Sequence, residues 1–86
     1  MVSYKVEINK KVRKKDLVTI PAKDVARIVK RISELSSNPY PVDATKLRGR
    51  EEWRIRQGDY RILYVVNEQI ITVIVVKVGH SRDIYR

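Results

Sequence analysis

The stretch that decides the fold covers residues 46–66 and reads KLRGREEWRIRQGDYRILYVV. Its second part has the pattern of two strands joined by a turn at Gly58-Asp59. Because successive side chains on a strand point to opposite faces, Trp53 and Ile55 share one face. Arg54 and Arg56 share the other face. The ribbon therefore combines an apolar face, which predicts a wall of the core, with a cationic face, which predicts an anion site.

Hydrophobic periodicity predicts the strands and helices on either side of this stretch. Residues 3–8 alternate apolar and polar side chains, which indicates a half-buried first strand. Asn9 can cap a short, highly basic helix that begins near Lys10. A second helix follows Pro21. Its apolar stripe recurs every three or four positions and consists of Val25, Ile28, Val29, Ile32 and Leu35.

These elements predict a single α+β domain that spans residues 1–86. The order is strand, helix, helix and three strands, so we expect an antiparallel-rich, four-stranded sheet with both helices packed on one face. The helices cover the apolar face and leave the face with Arg54 and Arg56 open. A local linker joins the second helix to the sheet at residues 38–52. The last three strands are predicted at residues 53–57, 60–66 and 70–78, of which the last is apolar on both faces, as in a central strand.

Composition narrows the classes of function. The 86-residue chain has 19 Lys and Arg against 10 Asp and Glu, a net charge of +9, which indicates nucleic acid or an acidic protein as the partner. There is no cysteine, which excludes disulfides and thiolate metal sites and agrees with a cytoplasmic location. A single histidine excludes a multi-histidine metal site. No run is apolar enough for a signal peptide or a membrane span, so no membrane partner is expected.

The cationic face is the candidate functional site. Arg54 and Arg56 lie on one strand and Arg61 on the next, so their side chains can converge across the tight turn. Guanidinium groups bind phosphate in a bidentate manner and stay charged at physiological pH. Arg82, near the end of the following strand, can join them. The arrangement predicts a phosphate-binding surface, although arginines that merely keep an exposed sheet face soluble would give the same pattern.

Four further residues are candidates around this surface. Tyr85 has an aromatic hydroxyl that can stack on a base or take part in proton transfer. His80 is the one side chain with an ordinary pKa near neutrality, although a lone histidine after a strand is more often a hydrogen-bonded loop residue. Lys46 and Arg48 precede the basic ribbon and can extend its phosphate track as RNA-binding residues, or they can belong to a plain solvated loop.

Several of these residues fall in motifs that resemble a known family. The motifs are KLRG at 46–49, WRIR at 53–56, GDYRILY at 58–64 and VGHSRDIY at 78–85. Together with the predicted order of strands and helices, they are similar to the RelE/ParE toxin superfamily, and in particular to its RelE branch. The resemblance covers essentially the whole chain.

The resemblance implies a toxin of a prokaryotic type II toxin–antitoxin system. Such a toxin enters the ribosomal A site and cleaves messenger RNA without metal or cofactor, by attack of a 2′-hydroxyl on its own phosphodiester. Its partners are a cognate antitoxin, the ribosome and messenger RNA. By position, Arg54 and Arg56 match a basic pair that is lysine in the best-known members. Arg61 matches a phosphate-binding arginine, Arg82 a second basic residue, and Tyr85 a tyrosine that stacks on or orients the substrate.

The sequence leaves open which residue transfers the proton and which molecule the toxin acts on. Arginine does not readily lose a proton, so Arg54 is a poor general base. That role passes to His80 or Tyr85, or the reaction depends on electrostatics and in-line positioning alone. A second hypothesis is a ParE-like protein that inhibits DNA gyrase by binding, and a third is a nucleic-acid-binding module without catalysis. The basic face together with the tyrosine near the end of the chain favours RNA cleavage.

Overall fold

The chain folds as a five-stranded sheet with its helices packed on one face. The structure is a computed structural model and describes residues 3–82. The sheet order is β1-β5-β4-β3-β2, in which β1 pairs parallel with β5 and all other neighbours are antiparallel. The strands are β1 Lys5–Ile8, β2 Thr45–Lys46, β3 Trp53–Gln57, β4 Tyr60–Asn67 and β5 Thr72–His80.

Two helical segments separate β1 from β2. The first is a π-helical turn, Val12–Asp16, continued by a 3₁₀ turn, Leu17–Thr19. The second is the regular helix α1, Ala22–Ser33, which ends in a 3₁₀ turn at Glu34–Ser36. As predicted, the Asn9 side chain accepts a hydrogen bond, 2.8 Å long, from the backbone N–H of Lys11. Neither segment, nor any other helix within residues 3–82, has the length and apolar character needed to cross a membrane.

The core lies between α1 and one face of the sheet. Cross-strand partners Ile55 and Ile62 are fully buried, and they meet Ile28 and Ile32 of the helix in one cluster. Val29, at the edge of the predicted stripe, is 41% exposed. The buried stripe of α1 is therefore narrower than the sequence pattern suggests.

A buried tyrosine anchors the segment that follows α1. Tyr64 is fully buried, and its hydroxyl donates a 2.7 Å hydrogen bond to the carbonyl oxygen of the buried Pro39. Burial raises the pKa of Tyr64 to about 12, so the hydroxyl keeps its proton and remains a donor. A second anchor is the ion pair of Arg31 with Asp43, at 2.5 Å. The hydrogen bond from Arg31 lowers the pKa of the Asp43 carboxyl.

The predicted fold class is confirmed, with three differences in detail. A fifth strand, Thr45–Lys46, lies within the predicted linker, because two residues there pair with the start of β3. β5 covers Thr72–His80 instead of residues 70–78, so His80 lies within the strand and not after it; the strand begins later because Ile71 adopts a left-handed φ of 49° in the turn after β4. Asn67 stabilises that turn by accepting backbone hydrogen bonds, at 3.0 and 3.3 Å, from the two residues that follow Glu68. The predicted short basic helix after Asn9 is present as a π-helical turn.

Replacement of Tyr64 by phenylalanine tests the anchor. Tyr64→Phe removes the donor to the buried Pro39 carbonyl, so we expect the free energy of unfolding to fall by about 1 kcal/mol. Urea denaturation followed by circular dichroism measures this value. The matched control is Tyr4→Phe, which removes an exposed hydroxyl that donates to Glu68 at 2.8 Å and should cost less. Equal losses in the two variants would contradict the anchoring role.

Candidate nucleic-acid interface

The sheet register places the three predicted arginines on the face away from the helices. Arg56 of β3 lies directly opposite Arg61 of β4, and Arg54 lies opposite Leu63. The neighbouring rung of this hairpin, Ile55 with Ile62, faces the core. Because side chains alternate along each strand, the arginines point to the opposite side. The predicted convergence of Arg54, Arg56 and Arg61 on one surface, here named the arginine face, agrees with the register.

Arg56 and Arg61 are the central pair of the arginine face. Residues directly opposite on antiparallel strands have Cβ atoms about 4.5–5.5 Å apart, and like charges at that spacing repel. A bridging anion such as a phosphate offsets this repulsion and can accept hydrogen bonds from both guanidinium groups. Arg56 is exposed, whereas Arg61 and Arg54 are half-buried. Half-burial restricts the side chains and leaves fewer rotamers to lose when an anion binds.

The floor of the arginine face is formed by small and apolar residues. Gly79 of β5 lies opposite Arg61, and no atom of residues 3–82 would come within 4 Å of a Cβ atom built on it, so this part of the structure leaves space at that position. Leu63 is only 5% exposed and lies between Arg54 and Lys77 on one rung of the sheet. The aliphatic parts of long basic side chains can cover such a leucine while their charged ends reach solvent.

Lys77 is a basic residue of this face that sequence reasoning missed. It lies opposite Leu63 and is exposed. The sequence contained a signal for it, because Lys77 is the one charged residue between residues 70 and 78, where all others except Thr72 are apolar. A charge in a strand that looks buried on both faces indicates that one face is open to solvent at that point.

Lys46 and Arg48 are not brought onto the arginine face by β2. Lys46 lies opposite Trp53, so it belongs to the other side of the ribbon, and Thr45 takes the position opposite Arg54. Arg48 lies in the exposed turn between β2 and β3. The next residue, Gly49, has a φ of 70°, which is a left-handed conformation that glycine adopts without strain. A role for either residue in RNA binding stays a prediction.

His80 lies on the helix side of the sheet. It is opposite Tyr60 in the register, and the two rings meet edge to face with centroids 5.8 Å apart. The Tyr60 hydroxyl is 3.4 Å from a carboxylate oxygen of Asp24 in α1. Burial, together with the charge of Asp24, raises the pKa of Tyr60. His80 is therefore separated from the arginine face by the sheet, although it occupies the last rung of β5, next to the rung of Arg61.

β5 ends at His80, one residue after Gly79, the cross-strand partner of Arg61. Arg82 is exposed. Ser81, the residue before it, donates its backbone N–H to the carbonyl oxygen of Asp59 at 2.8 Å. Asp59 is part of the turn between β3 and β4. Tyr85, which was also predicted to belong to the site, lies outside the described residues.

A cavity and the acidic side chains of residues 3–82 bear on whether this part of the chain could hold a small molecule or a metal ion. A cavity of about 410 Å³ opens on the helix side of the sheet and is lined in part by Lys15, Asp16, Tyr60 and His80. Asp16 is already engaged, since its carboxylate accepts a 3.0 Å hydrogen bond from the backbone N–H of Val78. Within residues 3–82, no three acidic or histidine side chains are grouped closely enough to hold a metal ion. The three arginines of the arginine face, by contrast, offer positive charge along a sheet surface, which suits an extended polyanion.

Comparison with known proteins agrees with this architecture. Residues 6–85 match the family model described as the ParE toxin of the type II toxin–antitoxin system parDE. Toxin RelG of Mycobacterium tuberculosis is 32% identical over 77 residues, which cover 85% of this chain and 86% of that protein.

Two solved structures of toxin–antitoxin complexes share the fold. The RelBE2 complex from Mycobacterium tuberculosis superimposes with a TM-score of 0.82 at 29% identity, over 92% of this chain and 99% of that chain. The archaeal RelE–RelB complex from Pyrococcus horikoshii OT3 gives a TM-score of 0.81 at 30% identity, over 95% of this chain and 99% of that chain. These matches extend over nearly the whole domain. The chain therefore belongs to the RelE/ParE toxin superfamily and is a toxin of the RelE family of type II toxin–antitoxin systems.

Proposed function

We propose that this toxin is a ribosome-dependent endoribonuclease that cleaves messenger RNA in the ribosomal A site without a metal ion. The observation that carries the proposal is the directly opposed pair Arg56 and Arg61, with Arg54 beside them on an open sheet face. Three guanidinium groups on one rigid surface match the charge of a phosphodiester and of its transition state. The RelE relatives also support cleavage of messenger RNA, since toxins of this family typically cleave it.

The chemistry requires charge stabilisation and alignment. The 2′-oxygen of the message forms a bond to the adjacent phosphorus, and the bond from phosphorus to the 5′-oxygen of the next nucleotide breaks. The 2′-hydroxyl loses a proton, the departing 5′-oxygen gains one, and a 2′,3′-cyclic phosphate remains. Negative charge rises on the non-bridging oxygens, where fixed guanidinium groups stabilise it. Rigid strands hold Arg56 and Arg61 in place, and the ribosome supplies the in-line arrangement of the message.

The proton transfers are not assigned to the arginines, which remain charged throughout the working pH range. Of the two titratable candidates, His80 extends from the helix side of the sheet and is not presented to the arginine face. Tyr85 remains the candidate for stacking on a base and orienting the substrate. We propose that positioning and charge stabilisation provide most of the rate enhancement in this protein.

Arg61 provides the direct test. Arg61→Ala should lower single-turnover cleavage of A-site messenger RNA by roughly 10²–10³, because one lost transition-state contact to a developing charge is worth that much. Arg61→Lys keeps the charge but not the planar pair of donors, so it should recover only part of the rate. Cleavage is measured by primer extension on a defined ribosome complex.

The matched control for Arg61 is Lys5→Ala. Lys5 is exposed on the edge strand β1, pairs with Glu7 at 3.2 Å, and is two strands away from β4. Lys5→Ala removes one positive charge, as Arg61→Ala does, and should leave the cleavage rate unchanged. Parental activity in folded Arg61→Ala, or equal losses in both variants, would remove the arginine face from the mechanism.

A cognate antitoxin is the proposed protein partner. The +9 chain favours an acidic or amphipathic segment, and the two relatives described above were solved with antitoxins bound. We expect a helical antitoxin segment to cover the arginine face or to displace the terminal segment near Tyr85. Co-expression with the neighbouring open reading frame should yield a stable complex that Arg56→Glu weakens and Lys5→Glu does not. Absence of any complex would count against this partner.

A second candidate function is inhibition of DNA gyrase by binding alone. It is favoured by the family model that the chain matches, which is that of the ParE toxin. The same fold serves both activities, so fold does not separate them. A gyrase supercoiling assay does: we expect no inhibition at concentrations that cleave ribosome-bound message. Inhibition of supercoiling together with intact message would establish this alternative instead.

A further inference from the structure

Two hydrogen bonds fix the turn that follows β5. Ser81 donates its backbone N–H to the carbonyl oxygen of Asp59 at 2.8 Å, which ties the turn to the β3–β4 hairpin. Arg82 donates its backbone N–H to Nδ1 of His80 at 3.3 Å. The first bond joins two backbone groups and does not depend on side-chain identity. The second depends on the imidazole, so the sequence at position 80 determines whether the turn is held there.

The ring of His80 is itself held from the helix side. It packs edge to face on Tyr60, its cross-strand partner, with ring centroids 5.8 Å apart. Tyr60 in turn lies 3.4 Å, hydroxyl to carboxylate, from Asp24 of α1. A series of contacts thus runs from α1 through Tyr60 and His80 to the backbone of Arg82. Nδ1 accepts a hydrogen bond in this arrangement, so the neutral ring carries its proton on Nε2.

The turn after β5 lies next to the arginine face. The rung next to His80 consists of Arg56, Arg61 and Gly79, so the chain leaves the sheet one rung from the central arginine pair. Arg82 is the first basic residue after that exit. The direction in which the chain leaves β5 therefore determines where the charge of Arg82 can reach.

We propose that His80 is a positioning residue that holds the backbone of Arg82 through Nδ1 and thereby sets the place of Arg82 beside the arginine face. This role rests on the proposed cleavage function, and it needs no contact between the imidazole and RNA. In this role, a histidine on the helix side of the sheet influences a reaction on the other side through the position of Arg82.

Two substitutions separate positioning from proton transfer. Asparagine places an amide oxygen where Nδ1 lies, whereas glutamine places one near Nε2. His80→Asn should keep both the protection of the Arg82 amide against hydrogen exchange and the cleavage rate. His80→Gln should lose the protection and lower single-turnover cleavage by about threefold to tenfold, the value of one hydrogen bond. Circular dichroism and thermal unfolding confirm that both variants are folded.

A double-mutant cycle with Arg82→Ala distinguishes positioning of Arg82 from a general structural effect. If His80 acts through Arg82, His80→Gln should have no further effect on cleavage in the Arg82→Ala background. Equal rates for the parent, His80→Asn and His80→Gln would overturn the proposal. So would equal losses in both variants, or a full additional loss in the Arg82→Ala background.

The amide measurement distinguishes failure of this inference from failure of the proposed function. If the parent protein cleaves no ribosome-bound message, the cleavage function fails, while exchange at the Arg82 amide still tests the hydrogen bond to His80. If the parent cleaves message and the Arg82 amide is equally protected in parent and His80→Gln, the positioning role fails and the cleavage function stands.

Discussion

The direct opposition of Arg56 and Arg61 across two antiparallel strands is the constraint on which the functional surface depends. Two like charges at this spacing repel, and the sheet nevertheless keeps them there. The reason lies in the adjacent rung, where Ile55 and Ile62 are fully buried. A slip of one residue would move the whole apolar set to solvent, so the core maintains the register that the charges oppose. Hydrophobic burial thereby preorganises a cationic site, and an anion bound there would reduce the repulsion between the two arginines.

Much of this site could be predicted from the period of two along the hairpin. Trp53 and Ile55 alternate with Arg54 and Arg56, and the turn at Gly58-Asp59 sets how the two strands pair. The two-residue strand β2 could not be predicted in the same way, because Thr45 and Lys46 are too short a run to show any period. The helix after Asn9 was predicted, but its π-helical form was not, since basic residues with few apolar neighbours carry little information about the type of helix.

The charge of Lys77 marks the open side of β5 at that point, but the change of faces along β5 could not be predicted from the sequence. The β4–β5 ladder has an irregularity between Leu63 and Tyr64, where Tyr64 pairs with Val75 and Leu63 with Lys77. The extra residue reverses which face each later side chain of β5 takes. Since residues 73–76 are all apolar, the pattern does not show where along β5 this reversal takes place. The structure therefore places His80 with Tyr60 on the helix side and Lys77 on the open side.

Membership of the RelE/ParE superfamily does not by itself determine the activity of this protein. The shared fold allows RNA cleavage and gyrase binding alike, so function has to be argued from the site. Here the site has arginines where the resemblance places lysines in the best-known members. Fixed guanidinium charges favour electrostatic stabilisation over proton abstraction. On this account, a rigid sheet supplies charge at fixed positions, and the ribosome aligns the reacting 2′-hydroxyl.

The most direct test of this account is a structure of the toxin on a ribosome whose A-site message carries a 2′-O-methyl group at the cleavage position. The methyl group blocks attack and preserves the complex for cryo-electron microscopy. The account predicts that the scissile phosphate lies against Arg56 and Arg61 on the open face of the sheet. A phosphate bound on the helix side near His80, or a toxin bound with its arginine face turned away from the message, would contradict it.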